Sequence, residues 1–410
     1  MIGPLRRWAL DLPLVFAVGA LSLFGIAMIY SAGQVHITNP VTGDAWIRQS
    51  LWFVLALAAF TLLARVPLRW YEWVAVPAYV ISVVLLAITL VIGTGSGTAA
   101  GVRSWIDLGF ISFQPSEIAK LATVLVVARL LSQREGPLTS LRDLMAPSAL
   151  VALPLVLVML QPDLGTAMAF VGILFAMLYW AGTPVALLLL VASPVVSLFV
   201  SYDTSVWSLY ILAVIGFLYF YRYRLYLFES VALVLANFAT ATISRPLWNS
   251  LATYQQNRIL VFLDPEVDPR GAGYHVIQSK IAVGSGGLLG QGYLMGPQKR
   301  YDFLPEQHTD FVFSVVGEEL GFIGTLLALV AFGYVLSRLL KLAAWSHDPF
   351  AGLVLLGIFG AWLVHVFVNI GMTVGLVPIT GIPLPFVSYG GVFFIMCWVA
   401  VAIAVRLAHE

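Results

Sequence analysis

Long hydrophobic runs, separated by short stretches that contain charge, glycine or proline, extend over most of the chain. A helix that crosses a bilayer needs about 20 apolar residues, and most of these runs approach that length. The pattern therefore predicts an all-α integral membrane protein, a polytopic bundle of about twelve transmembrane helices. The predicted spans are 12–32, 47–66, 71–93, 116–133, 144–160, 164–182, 185–201, 206–221, 225–243, 308–336, 352–376 and 389–406.

Composition supports this class and excludes others. Of the 410 residues, 60% are hydrophobic and 10% are charged, whereas a soluble domain carries about 25% charged residues. The deficit excludes a soluble enzyme and a disordered chain, and a net charge of +1 offers no basic surface to a nucleic acid. The glycines between 284 and 292 spell neither a dinucleotide fingerprint nor a phosphate-binding loop, so no nucleotide is expected.

The basic residues of the short loops predict the orientation. Lysine and arginine concentrate in cytoplasmic loops. With twelve spans, all the basic residues of the short loops fall on one side of the membrane. That side is predicted to be the cytoplasm, and both termini lie there. The residues are Arg6, Arg7, Arg65, Arg69, Arg129, Arg134, Arg142, Arg222, Arg224, Arg338, Lys341 and Arg406.

Three outer segments interrupt the pattern, at 94–115, 244–307 and 377–388. A loop as long as 244–307 in a compact domain is usually functional. Its stretch GYHVIQSKIAVGSGGLLGQGYL alternates apolar runs with glycines, which predicts half-helices in or beside the outer leaflet. Backbone at that depth must be covered by protein or line a wet cavity. We expect one integral-membrane domain over 1–410, with this loop as its functional extracytoplasmic part.

Two ionisable residues stand at the predicted start of the fourth helix, in GVRSWIDLGFISFQPSEIAK, residues 101–120. Glu117 and Lys120 are three positions apart, so they share a face of the helix. One interpretation is a buried structural ion pair, in which the helix N-terminus favours Glu117. The other is a cationic group, formed with Arg103, that binds phosphate or pyrophosphate. The sequence leaves both open.

Two further stretches carry carboxylates at the outer face. Asp163, in QPDLGTA, is either a helix cap or a carboxylate that lines a cavity. In RILVFLDPEVDPRGAGYH, residues 258–275, Pro265 forces the preceding residue out of the helical conformation, so the helix ends at Asp264. The cluster of Asp264, Glu266 and Asp268 is either a surface acidic turn or the source of a general base that deprotonates a hydroxyl.

The entry of the tenth span concentrates polar residues, in FLPEQHTDFVFSVVGEELGF, residues 303–322. Its oxygen-rich side chains would suit Mg²⁺ or Mn²⁺, although the ligands cannot be assigned from the sequence. His365 and Asn369 share a face of the eleventh span, where hydrogen bonding between helices is the favoured role. The residues at the entry are Glu306, His308, Asp310, Glu318 and Glu319.

Together these stretches resemble a known family. The motifs are GVRSWIDLG, FQPSEIAK, QPDLGTA, LDPEVDPRGAGYHVIQSKIAVGSGG, FLPEQHTDFVFSVVGEELG and NIGMTVGLVPITGIPLPFVSYGG. They resemble the SEDS proteins (shape, elongation, division and sporulation), and within that family the RodA branch. Members usually have ten transmembrane helices, so the resemblance implies a ten-helix core plus an inserted hairpin near 183–245. An insertion of two helices keeps Asp264 outside the cell.

The resemblance implies a peptidoglycan glycosyltransferase that polymerises lipid II during cell elongation. Such a protein works at the outer face of the bacterial cytoplasmic membrane, beside membrane lipids and nascent glycan. A class B penicillin-binding protein (a transpeptidase) and other elongation-complex proteins are the implied partners. A divalent cation, Mg²⁺ or Mn²⁺, is the implied cofactor, and neither a nucleotide nor a nucleic acid is expected.

The resemblance also implies roles for individual residues. Asp264 is the expected general base on the acceptor 4-hydroxyl, in an inverting transfer. The candidates for a metal ligand are Asp264, Asp163 and Glu117. The residues expected to bind substrate are Arg103, Glu117, Lys120, Asp163, Lys280, His308 and Asp310.

Two rival functions remain open. A flippase of lipid-linked cell-wall precursors should cluster its polar groups near the midplane, on broken helices of paired repeats. The candidate residues instead lie toward one face, beside a long outer loop, and no repeat is visible. A non-catalytic scaffold that activates a penicillin-binding protein is the second rival. A scaffold should tolerate replacement of the catalytic carboxylate.

Overall fold

The structure is a computed structural model that describes most of the chain. Four of the residues used to predict the orientation, Arg6, Arg7, Arg222 and Arg224, lie outside its described ranges. Those ranges are 11–35, 43–95, 103–107, 109, 112–221, 225–269, 271–301, 303–304 and 306–408.

The described residues form an all-α membrane fold, as predicted. Twelve of their helices have 16 residues or more, and they correspond one to one with the predicted spans. Eight are long and apolar enough to cross a membrane, and Leu164–Trp180, Val185–Val200 and Gly391–Leu407 are shorter apolar helices. The first nine long helices are α1 Leu12–Gly33, α2 Ala45–Leu63, α3 Leu68–Ile92, α4 Pro115–Ser132, α5 Leu141–Leu160, α6 Leu164–Trp180, α7 Val185–Val200, α8 Thr204–Tyr221 and α9 Leu227–Ser250. The later helices are α10 Thr253–Leu263, α11 Ala272–Ser285, α12 Pro297–Arg300, α13 Val312–Trp345, α14 Pro349–Val374 and α15 Gly391–Leu407.

The outer segments contain short elements. Strands β1 (Ile106–Asp107) and β2 (Ser112–Phe113) pair antiparallel, with Ile106 opposite Phe113. The long loop contains α10, a 3₁₀ turn at Pro265–Val267, α11 and α12. Helices α10 and α11 have 11 and 14 residues, too few to cross a bilayer. They occupy the segment in which half-helices were predicted.

Helix α14 lies at the centre of the bundle, where it packs against α4, α6, α13 and α15. Small residues permit its close approach to α6. A Cβ on Gly360 would lie 2.4 Å from the carbonyl oxygen of Gly172, and a Cβ on Gly172 would lie 2.4 Å from Val364 Cγ2. Glycine at such crossings lets two membrane helices pack backbone against backbone.

Helices α7, α8 and α9 occupy the segment where an inserted hairpin was predicted. These three helices pack mainly on one another, and α7 also contacts α6. A polar seam joins them: Asn237 donates to Ser193 Oγ at 2.8 Å, Ser197 Oγ donates to the Asn237 carbonyl at 3.0 Å, and Trp207 donates to Ser197 at 2.7 Å. Hydrogen bonds of this kind hold membrane helices together where hydrophobic burial cannot.

Helix α13 is broken near its N-terminal end. Gly321 has φ 63° and ψ −159°, which interrupts the helix. The carbonyls released at Glu318 and Glu319 accept hydrogen bonds from the amides of Gln291 at 2.9 Å and Gly292 at 3.0 Å. A Cβ on Gly290 would lie 2.0 Å from the Glu319 carbonyl oxygen. The long outer loop therefore satisfies the break, as buried backbone requires.

Candidate active site

Residues from all three predicted outer segments line one cavity of about 730 Å³. The wall is built from the outer end of α2, the β1–β2 hairpin, the start of α6, helices α10 and α11, and the loops before α13 and α15. A cavity of this size lies in the range for a ligand site. The polar and aromatic residues of its wall include Arg48, Trp52, Ser104, Trp105, Gln114, Asp163, Tyr254, Asn257, Arg258, Asp268, His275, Glu306, Thr309, Asp310, Thr380 and Tyr389.

Asp163 has both roles that the sequence left open. It caps α6, where its carboxylate accepts the Thr166 amide at 3.0 Å and the Thr166 hydroxyl at 2.8 Å. Gln114, which precedes α4, donates to the second oxygen at 2.9 Å. The same side chain lines the cavity.

The two aspartates of the acidic turn are placed differently. Asp264 is exposed at the end of α10, where it accepts the Glu266 amide at 3.0 Å. Asp268 follows the 3₁₀ turn, lines the cavity and accepts the Gly271 amide at 3.0 Å. A Cβ on Gly271 would lie 2.3 Å from the Asp268 carboxylate, so only glycine leaves room there. The structure thus places Asp268, rather than Asp264, on the cavity wall.

A second acidic group faces the cavity from the loop before α13. Asp310 is partly buried, and burial together with the neighbouring Glu306 raises its pKa to about 7, although Arg258 opposes this. His275 stacks on Phe311 with ring centroids 6.0 Å apart. Burial lowers the pKa of His275, which Glu306 opposes. No described residue bonds to His275 Nδ1, so the ring has capacity for a ligand.

Glu117 and Lys120 lie below the cavity rather than on its wall. Their side chains form a buried ion pair at 3.0 Å, and Lys120 also donates to His365 Nε2 at 2.9 Å. His365 Nδ1 is 3.0 Å from the Pro383 carbonyl, which can only accept, so Nδ1 carries the proton. These groups line a second cavity of about 40 Å³. Phe393 lines both cavities and separates the pair from the larger one.

Besides Glu117 and Lys120, three more of the expected substrate-binding residues are absent from the wall of the large cavity. Arg103 is exposed, and its amide donates to the Gln161 carbonyl at 3.4 Å. Lys280 is exposed against Gly375, at the end of α14. The ring of His308 packs on Tyr389, with centroids 5.5 Å apart. Of the seven expected substrate-binding residues, Asp163 and Asp310 are on the wall of the large cavity as described.

The structure does not bring the candidate metal ligands together. Glu117 is paired with Lys120, Asp163 caps α6, and Asp264 is exposed. Among the described residues no group of three or more histidine, cysteine, aspartate or glutamate side chains could hold a metal ion. These side chains therefore do not fit a site in which protein ligands alone hold a cation.

Several wall residues were not predicted from the sequence. Arg48 and Arg258 are its basic groups within the described ranges, and Trp52, Trp105 and Tyr389 contribute aromatic faces. One signal was available, because Arg48 falls at the outer end of a predicted span, where a charge indicates function. Trp52 lies inside a predicted span, and the others lie in stretches that gave no reason to choose them over their neighbours.

The comparisons with known proteins establish the family. A sequence model described as "Cell cycle protein", which covers FtsW, RodA and SpoVE, matches residues 12–213 and 185–410. The chain belongs to this family. The two matches overlap at 185–213, within the segment that contains the surplus helices.

Curated and solved relatives support the same assignment. The peptidoglycan glycosyltransferase RodA of Treponema pallidum is 34% identical in an alignment that covers 93% of each chain. The peptidoglycan glycosyltransferase MrdB of Escherichia coli is 35% identical over 388 residues, or 93% of this chain and 89% of the relative. A solved chain described under "Structural coordination of polymerization and crosslinking by a peptidoglycan synthase complex" has a TM-score of 0.71 and 31% identity, and covers 98% of both chains. The predicted family and the predicted enzyme class are confirmed.

Proposed function

We propose that this protein is a peptidoglycan glycosyltransferase that polymerises lipid II at the outer face of the cytoplasmic membrane. The observation that carries the proposal is a large cavity, whose wall combines two guanidinium groups, carboxyl groups and aromatic faces. This combination suits a substrate that joins sugar rings to an anionic pyrophosphate. The family membership and the names of the relatives support the same reaction.

The reaction is a single inverting transfer. The bond between the anomeric carbon of the lipid-linked glycan and its pyrophosphate breaks as the acceptor 4-hydroxyl oxygen attacks from the opposite side. The hydroxyl proton passes to Asp268, and the pyrophosphate-lipid leaves. Asp268 replaces the predicted Asp264 in this role, because a general base must reach the proton that it removes. Asp264 instead accepts a local amide at an exposed position.

Arg48 and Arg258 offset the charge that develops on the departing pyrophosphate. Guanidinium groups bind phosphate oxygens in a bidentate geometry, and both groups lie on the wall. The predicted cations are less suitable, since Lys120 is already shared between Glu117 and His365. The leaving group is a good one, so the transfer demands no general acid.

A divalent cation stays a prediction of the family resemblance. Magnesium is usually held by one or two carboxylates together with substrate phosphates, and a cation that arrives with the pyrophosphate would need no cage of protein ligands. Loss of activity on chelation, restored by Mg²⁺ or Mn²⁺, is the result expected from the resemblance.

We also propose a class B penicillin-binding protein as the partner. The solved relative is part of a complex that coordinates polymerisation and crosslinking, and this chain matches it over nearly its whole length. Elongation-complex proteins, both termini in the cytoplasm and an extracytoplasmic site complete the proposal. The basic residues of the short loops support this orientation.

The test is polymerisation of fluorescent lipid II by the purified protein with its cognate partner. We would compare wild type, Asp268→Asn and Asp264→Asn, each with Mg²⁺, with Mn²⁺ and with chelator. Loss of a general base costs about 10²–10⁴-fold in rate, so Asp268→Asn should yield no glycan ladder. Asp264→Asn, an equal change four residues away, should stay within a few-fold of wild type.

Each other outcome has a definite meaning. If Asp264→Asn abolishes the ladder and Asp268→Asn keeps it, the base is Asp264, as the sequence predicted. Equal ladders from both variants would remove the acidic turn from catalysis. If wild type makes no ladder but moves lipid II across vesicle membranes, the protein is a flippase. If it only stimulates its partner, and does so with either variant, it is a scaffold.

A further inference from the structure

Two side chains of the cavity wall belong to one helix and lie on the same face of it. Arg48 and Trp52 are both on α2, and both line the large cavity. They are four positions apart, so they are neighbours on the helix surface, with Cβ atoms about 5–6 Å apart. The wall therefore presents a guanidinium group and an indole ring side by side, about one turn apart along α2.

The indole ring of Trp52 is backed by protein on one face. A Cβ added to Gly391, the first residue of α15, would lie 2.3 Å from Trp52 Cε2, 2.6 Å from Nε1 and 2.8 Å from Cδ2. Cε2 is a ring-fusion atom with three bonded neighbours in the ring plane, so an atom this close to it lies above the plane. The backbone of Gly391 therefore packs against a face of the indole, and only glycine permits this contact.

Neighbouring contacts fix the position of the ring. Gln49, which is buried, accepts a hydrogen bond from the Gly390 amide at 3.3 Å. On the other side of Trp52, Phe53 packs edge to face with Phe394, with ring centroids 5.9 Å apart. These contacts join α2 to the start of α15 both before and after Trp52. The ring is thus held in place by the fold before any ligand binds.

A tryptophan near the end of a membrane helix often serves as an anchor at the lipid headgroups. Trp46, on the same helix, fits that role, since it packs on Tyr30 with ring centroids 5.5 Å apart and does not line the large cavity. Trp52 differs, because it is partly exposed on the cavity wall. No described residue accepts a hydrogen bond from its indole N–H. Its ring is therefore accessible to a ligand in the cavity.

We propose that Trp52 is the platform on which the sugar ring bonded to the pyrophosphate stacks, while Arg48 binds the pyrophosphate itself. The inference rests on the proposed function and adds a sugar subsite to it. The anomeric carbon of the donor is bonded directly to the pyrophosphate, so the sugar and the phosphates must bind at adjacent positions. The apolar C–H face of a pyranose ring can cover the indole, and the indole N–H can donate to a hydroxyl or acetamido oxygen.

The experiment measures binding to the full-length protein in nanodiscs, with two ligands that differ only in the sugar. One is a polyprenyl pyrophosphate, and the other is the same lipid with N-acetylglucosamine bonded to its pyrophosphate. Loss of an aromatic face costs roughly 10-fold in affinity, so Trp52→Leu should bind the sugar-bearing lipid about 10-fold more weakly than wild type. Its affinity for the sugar-free lipid should stay within about 2-fold of wild type, because Arg48 still binds the phosphates. Trp52→Phe keeps an aromatic face and should recover most of the loss.

Three further variants separate the sugar from the phosphates and from packing. Trp46→Leu makes the same change on the same helix away from the cavity, so it should leave both affinities as in wild type. Arg48→Gln should weaken both ligands together, because both carry the pyrophosphate. Gly391→Ala displaces the Trp52 ring without removing it, so it should reduce the preference for the sugar-bearing lipid as Trp52→Leu does.

The proposal is overturned if wild type binds the two lipids equally, or if Trp52→Leu weakens both by the same factor or neither. It is also overturned if Trp52→Phe binds the sugar-bearing lipid no better than Trp52→Leu. A protein that distinguishes the two lipids as expected but makes no glycan from lipid II would contradict the proposed function and leave the sugar subsite standing.

Discussion

A fully buried ion pair near the break in α13 allows a quantitative test of the fold. Lys299, on α12, pairs with Glu319 on α13, and both side chains have 0% exposure. Lys299 also donates to the Ser31 carbonyl at 2.9 Å, while Ser31 Oγ donates to both carboxylate oxygens of Glu319 at 2.7 Å. The cluster therefore links α1, α12 and α13 beside the break.

Removing one partner should be far more costly than removing both. A charge left alone in a buried position costs about 3–5 kcal/mol, whereas an apolar pair of similar volume is often neutral or stabilising. Lys299→Met should therefore lower stability by about 3–5 kcal/mol, on the order of 4–6 °C in Tm for a chain of this size. Lys299→Met combined with Glu319→Met should recover most of that loss. Thermal unfolding in detergent micelles measures both.

The ion pair of Arg134 and Asp143 serves as the matched control. Its side chains are 40% and 21% exposed, and exposed pairs contribute roughly 0–1 kcal/mol. Arg134→Met should thus leave Tm within a degree or two of wild type. The reasoning fails if Lys299→Met costs no more than Arg134→Met. It also fails if the double variant is no more stable than the Lys299→Met variant.

Three shorter predictions concern the site and the peripheral helices. Gly271→Ala places a Cβ 2.3 Å from the Asp268 carboxylate. Lipid II polymerisation should therefore fall at least 10-fold, while the melting temperature changes little. Unchanged activity would contradict this prediction. His365→Gln can still accept a hydrogen bond from Lys120 and donate one to a carbonyl, so it should retain activity and stability. His365→Phe can do neither and should lower Tm by several degrees. Equal melting temperatures of the two variants would contradict this prediction. Asn237→Leu removes the side-chain hydrogen bond from α9 to Ser193 on α7 and should cost roughly 1–3 kcal/mol in thermal unfolding, with polymerisation by the surviving folded protein unchanged. A selective loss of activity would place these helices in the catalytic unit.

The transmembrane helices could be predicted because their signal is local. The shortest predicted spans illustrate this, since 185–201 and 206–221 correspond to Val185–Val200 and Thr204–Tyr221. Burial in lipid demands only a sufficient run of apolar residues, and that is visible in the sequence. The break at Gly321 was not predicted, because it is stabilised by amides that lie some 30 residues earlier in the chain.

The sequence indicated which polar residues of the predicted outer segments could belong to the site. It did not indicate which of them lie next to one another in the structure. The sequence indicated Glu117, Lys120 and Asp163 equally, since each is an ionisable group near the outer face. In the structure Asp163 lines the large cavity, whereas Phe393 separates the ion pair from it. Phe393 lies some 270 residues after Lys120 in the chain, and no local pattern relates them. Whether a charge faces solvent, substrate or another charge is decided by such distant contacts.

The choice between Asp264 and Asp268 shows which local feature carries information about function. Asp264 has the more conspicuous position, after a helix and before a proline, but it is exposed and is not on the cavity wall. Asp268 lies beyond the 3₁₀ turn and is followed by Gly271 and Gly273, where added Cβ atoms would lie 2.3 Å from its carboxylate and 2.5 Å from its carbonyl oxygen. Gly271 and Gly273 therefore leave room beside Asp268, whereas no glycine lies next to Asp264 in the sequence. This spacing, D-x-x-G-x-G, supports the proposal that Asp268 rather than Asp264 is the general base, and the Asp268→Asn and Asp264→Asn comparison tests it.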